Sequence, residues 1–445
     1  MTIQSLVQKY SGRIPRYTSY PPVPSWKDQP TKKAWFEHVS NQHDDIAEHG
    51  VSLYLHLPFC EQLCTYCGCN KRITVNHAVE EPYIHDIMME WQEYREVLPE
   101  EIPLAELHLG GGTPTFFSAK NLDRLLSELL KGTRPLPGAS WSVEVHPSFT
   151  TEEQLKVLFD HGFRRLSMGV QTLNKGVQFL INRIQPFEEI KKLTEAARRI
   201  GYESINFDIL YGLPNQTAEV VQNDIETLIQ LRPDRVAFYG YAHVPWKHPG
   251  QRRYTEKDLP SPQERFQSVQ IGKQLFQDAG YQPIGMDHFA LPDEKLAVAA
   301  REGKMHRNFM GYTEMDPALL IGLGVSSISE SRLGYVQNEK VIEKFREKIT
   351  SDQDTFVNGH SFTQEELHTR EGILEVMCRM RLSESFYEDE SVLEGLKEME
   401  RDGLVEFKED YMVVLEEGRP FLRSICALID PMMTMSNEER YSSNL

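Results

Sequence analysis

The chain has no uninterrupted apolar run of about 18 residues, the length that a membrane-crossing helix requires. Its first residues, MTIQSLVQKY, form no apolar leader segment. The expectation is therefore a soluble, cytoplasmic protein without a membrane partner. Positive charge is in short supply. Lys and Arg total 48 against 66 Asp and Glu, a formal net charge of −18 over 445 residues, which argues against binding nucleic acid or anionic lipid. An anionic small substrate would need a local basic pocket. No repeat with a period of roughly 20 to 50 residues and no low-complexity segment is present. Cysteine is scarce too, with six in all, yet four of them fall in the single stretch CEQLCTYCGCN that starts at Cys60.

In a reducing compartment, clustered thiols bind metal or do chemistry more often than they form disulfides. Cys60, Cys64 and Cys67 are spaced CxxxCxxC, directly after the first expected strand. A structural zinc site draws four ligands from two paired knuckles, and no second knuckle exists, because Cys378 and Cys426 stand alone in apparent helices. Three thiolates from one tight loop suit three corners of a four-iron cube, leaving the last iron open to a ligand. Zinc or a disulfide remains the alternative. Cys69 lies one residue too close to Cys67 to wrap the same cube comfortably. It is either a small buried thiol that packs or a group within the site.

Six short apolar segments recur between helix-like stretches: SLYLHLP, LAELHLGGG, SWSVEVHP, RRLSMGVQ, SINFDILYGLP and RVAFYGYAHVP. Between the last two, TAEVVQNDIETLIQLRPD has helical spacing that ends at Pro233–Asp234. Strands alternating with helices imply parallel pairing with right-handed crossovers, so the expected fold is α/β, a partial (β/α)6 barrel with parallel strands. A doubly wound open sheet is the alternative. Residues 49–340 would form the barrel and its extension. Residues 1–48, with PRYTSYPPVPSW, would form an ordered arm or lid, since so many aromatic rings are foreign to flexible linkers. Residues 341–445 would form a small, mostly helical domain resembling winged-helix modules.

The unusual residues fall where the expected strands end: His56, the GGGTPT run from Gly110, Glu144 and His146, Gln171, Asp208, and Tyr241 to Pro245. Barrel enzymes build their sites at that face. Glycines there let a ligand approach the backbone N–H groups, although the same residues also make plain turns. Glu144, Gln171, Arg183 and Asp208 have the hydrogen-bonding capacity to hold the hydroxyl, amino and carboxylate groups of a nucleoside amino acid. Each taken singly could be a solvated loop residue.

A CxxxCxxC loop after the first strand of a partial barrel resembles the radical S-adenosylmethionine superfamily. The resemblance implies a [4Fe-4S] cluster on Cys60, Cys64 and Cys67 whose open iron chelates S-adenosylmethionine. One electron from the reduced cluster then releases methionine and a 5'-deoxyadenosyl radical that abstracts hydrogen. The GGGTPT run resembles the segment that meets the amino group. PRYTSYP from Pro15, CxxxCxxCxC from Cys60, GMDHFALPDEKLAVA from Gly285 and HRNFMGYT from His306 further resemble the oxygen-independent coproporphyrinogen III oxidase family, over about Lys9 to Asn338.

That resemblance implies conversion of coproporphyrinogen III to protoporphyrinogen IX in heme biosynthesis, with two propionates becoming vinyls and two S-adenosylmethionines consumed. It maps one S-adenosylmethionine onto Tyr54, Gly111, Glu144 and Ile328. The second maps onto Tyr66, Gly112, Thr113, Gln171, Arg183, Asp208 and Ala242. Tyr54, His56 and Cys69 are the candidates at the reacting centre, and Arg16 and Arg307 the candidates for the substrate carboxylates. A low-potential electron donor, flavodoxin-like or ferredoxin-like, and a monomeric state are also implied. Three departures stand out: Met310 where the family often has Gln, TEMD after Tyr312 where it often has a Thr-Gln pair, and His146 where it can have Asp. The competing functions are a heme-binding chaperone of the same lineage, which typically lacks the PRYTSYP arm and has an aromatic residue in place of Cys69, a radical enzyme that breaks or methylates heme, and a zinc-stabilised binding protein.

Overall fold

Each of the six apolar segments is a strand in the computed structural model, which describes residues 3–10, 12–28 and 30–433. They are β1 Val51–Leu57, β2 Ile102–Gly111, β3 Thr133–Val145, β4 Arg165–Gln171, β5 Ser204–Tyr211 and β6 Arg235–Gly240. All pair in parallel, in chain order. β1 and β2 are buried almost throughout, as a parallel sheet covered on both faces requires. Alternation then sorts β5: Asn206 and Asp208 line the barrel interior, while Phe207 and Ile209 are buried in the hydrophobic core.

The crossovers are helices because their apolar residues repeat every three or four positions. In Ala119–Leu129 the buried face is Leu122, Leu125, Leu126 and Leu129, and Ser118 caps the start by accepting from the Asn121 N–H. Helix Ala218–Leu228 starts at the Thr217 cap and gives way to a short 3-10 turn ending at Leu231, just before Pro233.

The sheet exceeds the expected six strands. β7, Leu319–Leu323, pairs in parallel on the other side of β1, so seven strands are parallel. Five antiparallel strands flank them: β8 Ile328–Ser331, β9 Gly334–Asn338 and β10 Phe356–Ser361 on one edge, His288–Ala290 and Gln282–Ile284 on the other. The two outermost strands do not pair, so the barrel stays open. β10 carries the main sheet to residue 361, beyond the boundary expected at 340.

Residues expected to form one arm divide between two cores. Trp35, Val39 and Ile46, on helices Lys32–Ser40 and His43–His49, enter the core around the sheet. Leu6, Val7, Tyr17 and Tyr20 instead pack with Ile373, Met377, Leu396, Phe421 and Ile425 of the carboxyl-terminal part. That part comprises helices Gln364–Arg379, Glu390–Arg401 and Leu422–Leu428 with a three-stranded antiparallel sheet spanning 381–414. Tyr17 and Tyr20 both donate to the Asp430 carboxylate, at 3.0 and 3.1 Å. The far end of the chain, residues 434–445, lies outside the described residues. No helix among the described residues is long and apolar enough to cross a membrane.

At the amino-terminal ends of the strands the barrel interior is floored with charge. Arg165 lies 3.4 Å from Glu314 and donates to Ser140 Oγ at 2.7 Å. Arg235 lies 2.6 Å from Glu294 and 4.0 Å from Glu314. Glu106 accepts from Ser52 at 2.5 Å and from Thr313. Burial would raise the Glu314 carboxyl, but the two guanidiniums outweigh it and hold the group down at about 2. The TEMD departure thus supplies an ion partner to the floor.

Candidate active site

The cysteine loop is fastened on three sides. A two-residue parallel ladder joins Phe59–Cys60 to Arg72–Ile73, and the Thr74 N–H donates to the Cys60 carbonyl at 2.9 Å. The Thr65 N–H donates to the Ile181 carbonyl at 2.9 Å, and Asn182 Nδ2 donates to the Leu63 carbonyl at 2.8 Å. Gln251 Nε2 reaches the Tyr66 carbonyl at 2.9 Å. Beneath the loop, Gly112 and Thr113 donate their N–H groups to the Leu57 and Phe59 carbonyls, both at 2.9 Å. A Cβ at Gly112 would fall 2.6 Å from the Pro58 carbonyl carbon, so only glycine fits there.

The sulfurs face donors. Thr113 Oγ1 lies 3.4 Å from Cys60 Sγ, and Arg183 Nη1 lies 3.5 Å from Cys64 Sγ. A hydrogen bond from Cys69 lowers the Cys67 thiol to about 6, whereas burial pushes Cys60 up to about 11. Cys69 is exposed, lining a cavity wall, so the small buried thiol is not what the fold makes of it.

The three cysteines open into a cavity of about 250 Å³ that is also lined by Tyr66, Gly111 to Thr113, Glu144, Gln171, Arg183 and Asp208. Arg183 is held in place by donation to Gly169 O at 2.5 Å and to Gln185 Oε1 at 3.1 Å. Gln171 adopts φ +67°, a backbone conformation costly outside glycine, at the register shift that ends β4. Asp208 accepts from Asn206 at 2.7 Å and from Ser167 at 3.2 Å. Burial and the neighbouring Glu144 charge nevertheless push its carboxyl up to about 7. Burial, then the Arg183 charge, drive the His146 imidazole down to about 2, so it is neutral.

A second cavity, of about 700 Å³, holds the other expected set: Tyr54, Gly111, Glu144 and Ile328, together with His56, Cys69 and Met310. His56 Nε2 lies 2.8 Å from the Asn70 carbonyl, so that nitrogen bears the proton and Nδ1 accepts from the Tyr54 hydroxyl at 3.0 Å. Burial keeps this imidazole below its ordinary value. A third cavity, of about 220 Å³, fills the barrel interior down to the charged floor. Glu144 lines all three. Burial would raise its carboxyl, but the His108 side chain, the Gly111 N–H at 3.1 Å and the His56 ring hold it below the usual carboxylate range.

Sequence reasoning missed His108, which lies 3.5 Å from Glu144 and stacks on Tyr54 at 5.8 Å. A histidine inside the apolar strand LAELHLGGG was the available signal. It also missed Ser167 and Asn206, which orient Asp208. Three expected residues, Arg16, Arg307 and Ala242, stand apart from these cavities. Arg16 donates to the Gly240 carbonyl at 2.6 Å in a separate cavity beside Arg265 and Arg423, and buried Arg307 donates to the Tyr17 carbonyl at 3.3 Å and lies over the Tyr312 ring. Ala242 lines none of the three cavities, and its carbonyl accepts from Gln251.

Among the described residues no three His, Cys, Asp or Glu side chains close on a single metal ion, as a zinc site would need. Three thiols from one fastened loop, with hydroxyl and guanidinium donors at the sulfurs and a polar cavity in front, fit a larger iron–sulfur group with an open position.

Comparison with known proteins agrees. A family model described as the radical SAM superfamily matches residues 54–228. The oxygen-independent coproporphyrinogen III oxidase of Salmonella typhimurium is 38% identical over 96% of this chain and 94% of its own, and that of Escherichia coli is 37% identical over the same shares. The solved structure of coproporphyrinogen III oxidase from Escherichia coli, described as a radical SAM enzyme, superposes with a TM-score of 0.89 at 34% identity, covering 97% of this chain and 99% of that one.

Proposed function

Because the chain belongs to the oxygen-independent coproporphyrinogen III oxidase family of the radical S-adenosylmethionine superfamily, we propose how its residues perform that family's reaction. The enzyme is an oxidoreductase of heme biosynthesis that oxidatively decarboxylates coproporphyrinogen III to protoporphyrinogen IX, turning two propionates into vinyls. The [4Fe-4S] cluster and S-adenosylmethionine, when bound, supply the hydrogen-abstracting chemistry. Cys60, Cys64 and Cys67 hold the cluster.

In the cavity before the cysteines, Arg183 offers a fixed guanidinium to a carboxylate. Asp208 takes a polar group of the same ligand, Gly111 and Gly112 let it approach the backbone closely although their N–H groups are spent on Glu144 and the Leu57 carbonyl, and Gln171 completes that wall with Tyr66. An ammonium group beside Asp208 would draw its carboxyl down from about 7, releasing a proton at the Asp208 oxygens. Tyr54, Gly111, Glu144 and Ile328 bound the neighbouring cavity, the place for the second S-adenosylmethionine. Tyr54 and His56 lock each other there, so the Tyr54 hydroxyl is committed to Nδ1 while its ring stacks on His108. Cys69 stands on the shared wall of both cavities, and His108 acts as a positioning residue for Glu144. Arg16, in the separate cavity beside Gly240, Arg265 and Arg423, supplies positive charge that draws the substrate carboxylates, whereas Arg307 is spent on the Tyr17 carbonyl and the Tyr312 ring.

The observation that supports this reading best is the meeting of the three cysteines, Arg183 and Asp208 in one cavity. A soluble cytoplasmic monomer supplied with electrons by a small low-potential protein completes the proposal. The test is anaerobic incubation of reconstituted protein with S-adenosylmethionine, a strong reductant and coproporphyrinogen III. Protoporphyrin formed with 5'-deoxyadenosine is the expected outcome. Deoxyadenosine without protoporphyrin would move the substrate toward heme itself, and neither product would overturn the enzyme reading.

A further inference from the structure

Large apolar side chains that remain exposed are few. Of the nine exposed among the described residues, six, Leu63, Ile73, Val75, Phe179, Ile184 and Trp246, lie on the cysteine loop and the two segments that fasten it. Phe179 is 66% exposed and Trp246 49%, values that leave most of one ring and half of the other in water. The segments adjoin: Asn182 bonds the Leu63 carbonyl, a Cβ at Gly250 would lie 3.7 Å from Leu63 Cδ2, and Arg253 sits over the Phe179 ring at 5.6 Å.

The charge of these segments runs against that of the chain. Residues 60–75, 171–187 and 242–255 contain seven Lys and Arg and one carboxylate, Glu61, in a protein whose total is 48 against 66. Arg72 is paired with Glu343 at 2.9 Å and Arg183 faces the cavity, but Lys175, Lys247, Arg252 and Arg253 are exposed. Arg252 meets the Pro245 carbonyl, at 3.1 Å, rather than a carboxylate. An apolar patch rimmed with charge of one sign marks an interaction surface, and that sign selects a partner of the opposite one.

The need for a partner is built into the site. On the functional reading above, each turnover needs electrons delivered singly to the group held by Cys60, Cys64 and Cys67. The remaining cysteines besides Cys69, Cys378 and Cys426, are buried in the second core and offer no relay. We propose that Leu63, Phe179 and Trp246, ringed by Lys247, Arg252 and Arg253, dock an acidic protein that carries a low-potential one-electron group. At each encounter the carrier is oxidised by one electron and the cluster is reduced by one, and no bond or proton is exchanged across the contact.

The test uses anaerobic holoenzyme and, as probe, an acidic flavodoxin in its fully reduced form, followed by rapid-mixing absorbance of the cluster. Reduction of the wild-type protein should slow as salt rises. Joint Arg252→Glu and Arg253→Glu replacement should slow it about tenfold at low salt and flatten the salt dependence. Trp246→Ala should slow it while keeping that dependence. Dithionite, which needs no docking, should reduce all three proteins equally and support the same 5'-deoxyadenosine yield. Wild-type rates with flavodoxin in both variants would overturn the proposal. So would a wild-type dimer that Trp246→Ala dissociates, since the patch would then belong to a second copy. Absence of dithionite-driven deoxyadenosine in the wild-type protein would instead be a failure of the functional reading, and the two failures are thus distinguishable.

Discussion

The two ends of the barrel interior are both charged, yet they differ in how the charge is answered. On the floor, Arg165, Arg235, Glu294 and Glu314 neutralise one another within the protein. At the mouth, buried Arg183 spends its hydrogen bonds on a carbonyl, a glutamine and a cysteine sulfur, with no carboxylate partner within 4 Å among the described residues, while Asp208 is held by Asn206 and Ser167 and pushed up by the Glu144 charge. A buried charge with a protein partner is architecture. A buried charge fixed by neutral groups and left facing a cavity is waiting for a ligand, because nothing else would recover its desolvation cost.

The contrast is broken most severely at the mouth. Cys64→Ala should abolish 5'-deoxyadenosine formation while leaving the thermal midpoint nearly unchanged, since the loop is held by backbone bonds and not by core packing. Normal deoxyadenosine from that variant would refute its role as a ligand. On the floor the pattern should invert. Glu314→Gln leaves two guanidiniums facing a neutral amide and should cost about 3–5 kcal/mol of stability, read as a lowered thermal midpoint, with the KM for S-adenosylmethionine of the folded enzyme unmoved.

A pH series sharpens the comparison. Asp208 binds its proton more tightly folded than unfolded, so the stability tied to that proton is complete below the ordinary aspartate range and is lost as pH rises through about 7. Asp208→Asn should therefore gain midpoint relative to wild type as pH is raised across that window, and should weaken S-adenosylmethionine binding. The smallest effect belongs outside the barrel. Lys9 bridges Asp402 at 2.6 Å and Glu398 at 2.7 Å at a partly exposed site. Lys9→Met should cost at most about 1 kcal/mol in thermal unfolding.

The sequence exposed most of the parallel sheet and the cysteine loop because both are local signals. Each of the six strands is an apolar run that ends in glycine, proline or a polar residue, and the loop is eleven consecutive residues. β7 escaped because LLIGL is short and follows the strand Gly311–Thr313 instead of a crossover helix that would announce it. Glu314 read as a deviation from a family pattern, whereas its role depends on Arg165 and Arg235, which no spacing connects to it. Tyr17 and Tyr20 were legible as ordered aromatics, but their partner Asp430 lies some four hundred residues away. Arg16 and Arg307 suited anionic substrate by residue type alone, and only the fold shows that they flank the cavities instead of lining them.

The most direct test of the central claim is the electron paramagnetic resonance spectrum of the anaerobically reconstituted, dithionite-reduced protein with and without S-adenosylmethionine. The account predicts the signal of a one-electron-reduced [4Fe-4S] cluster whose g-values shift on adding S-adenosylmethionine, with the shift lost in Cys64→Ala. Bound zinc without iron, or a cluster signal that S-adenosylmethionine leaves unmoved, would contradict it.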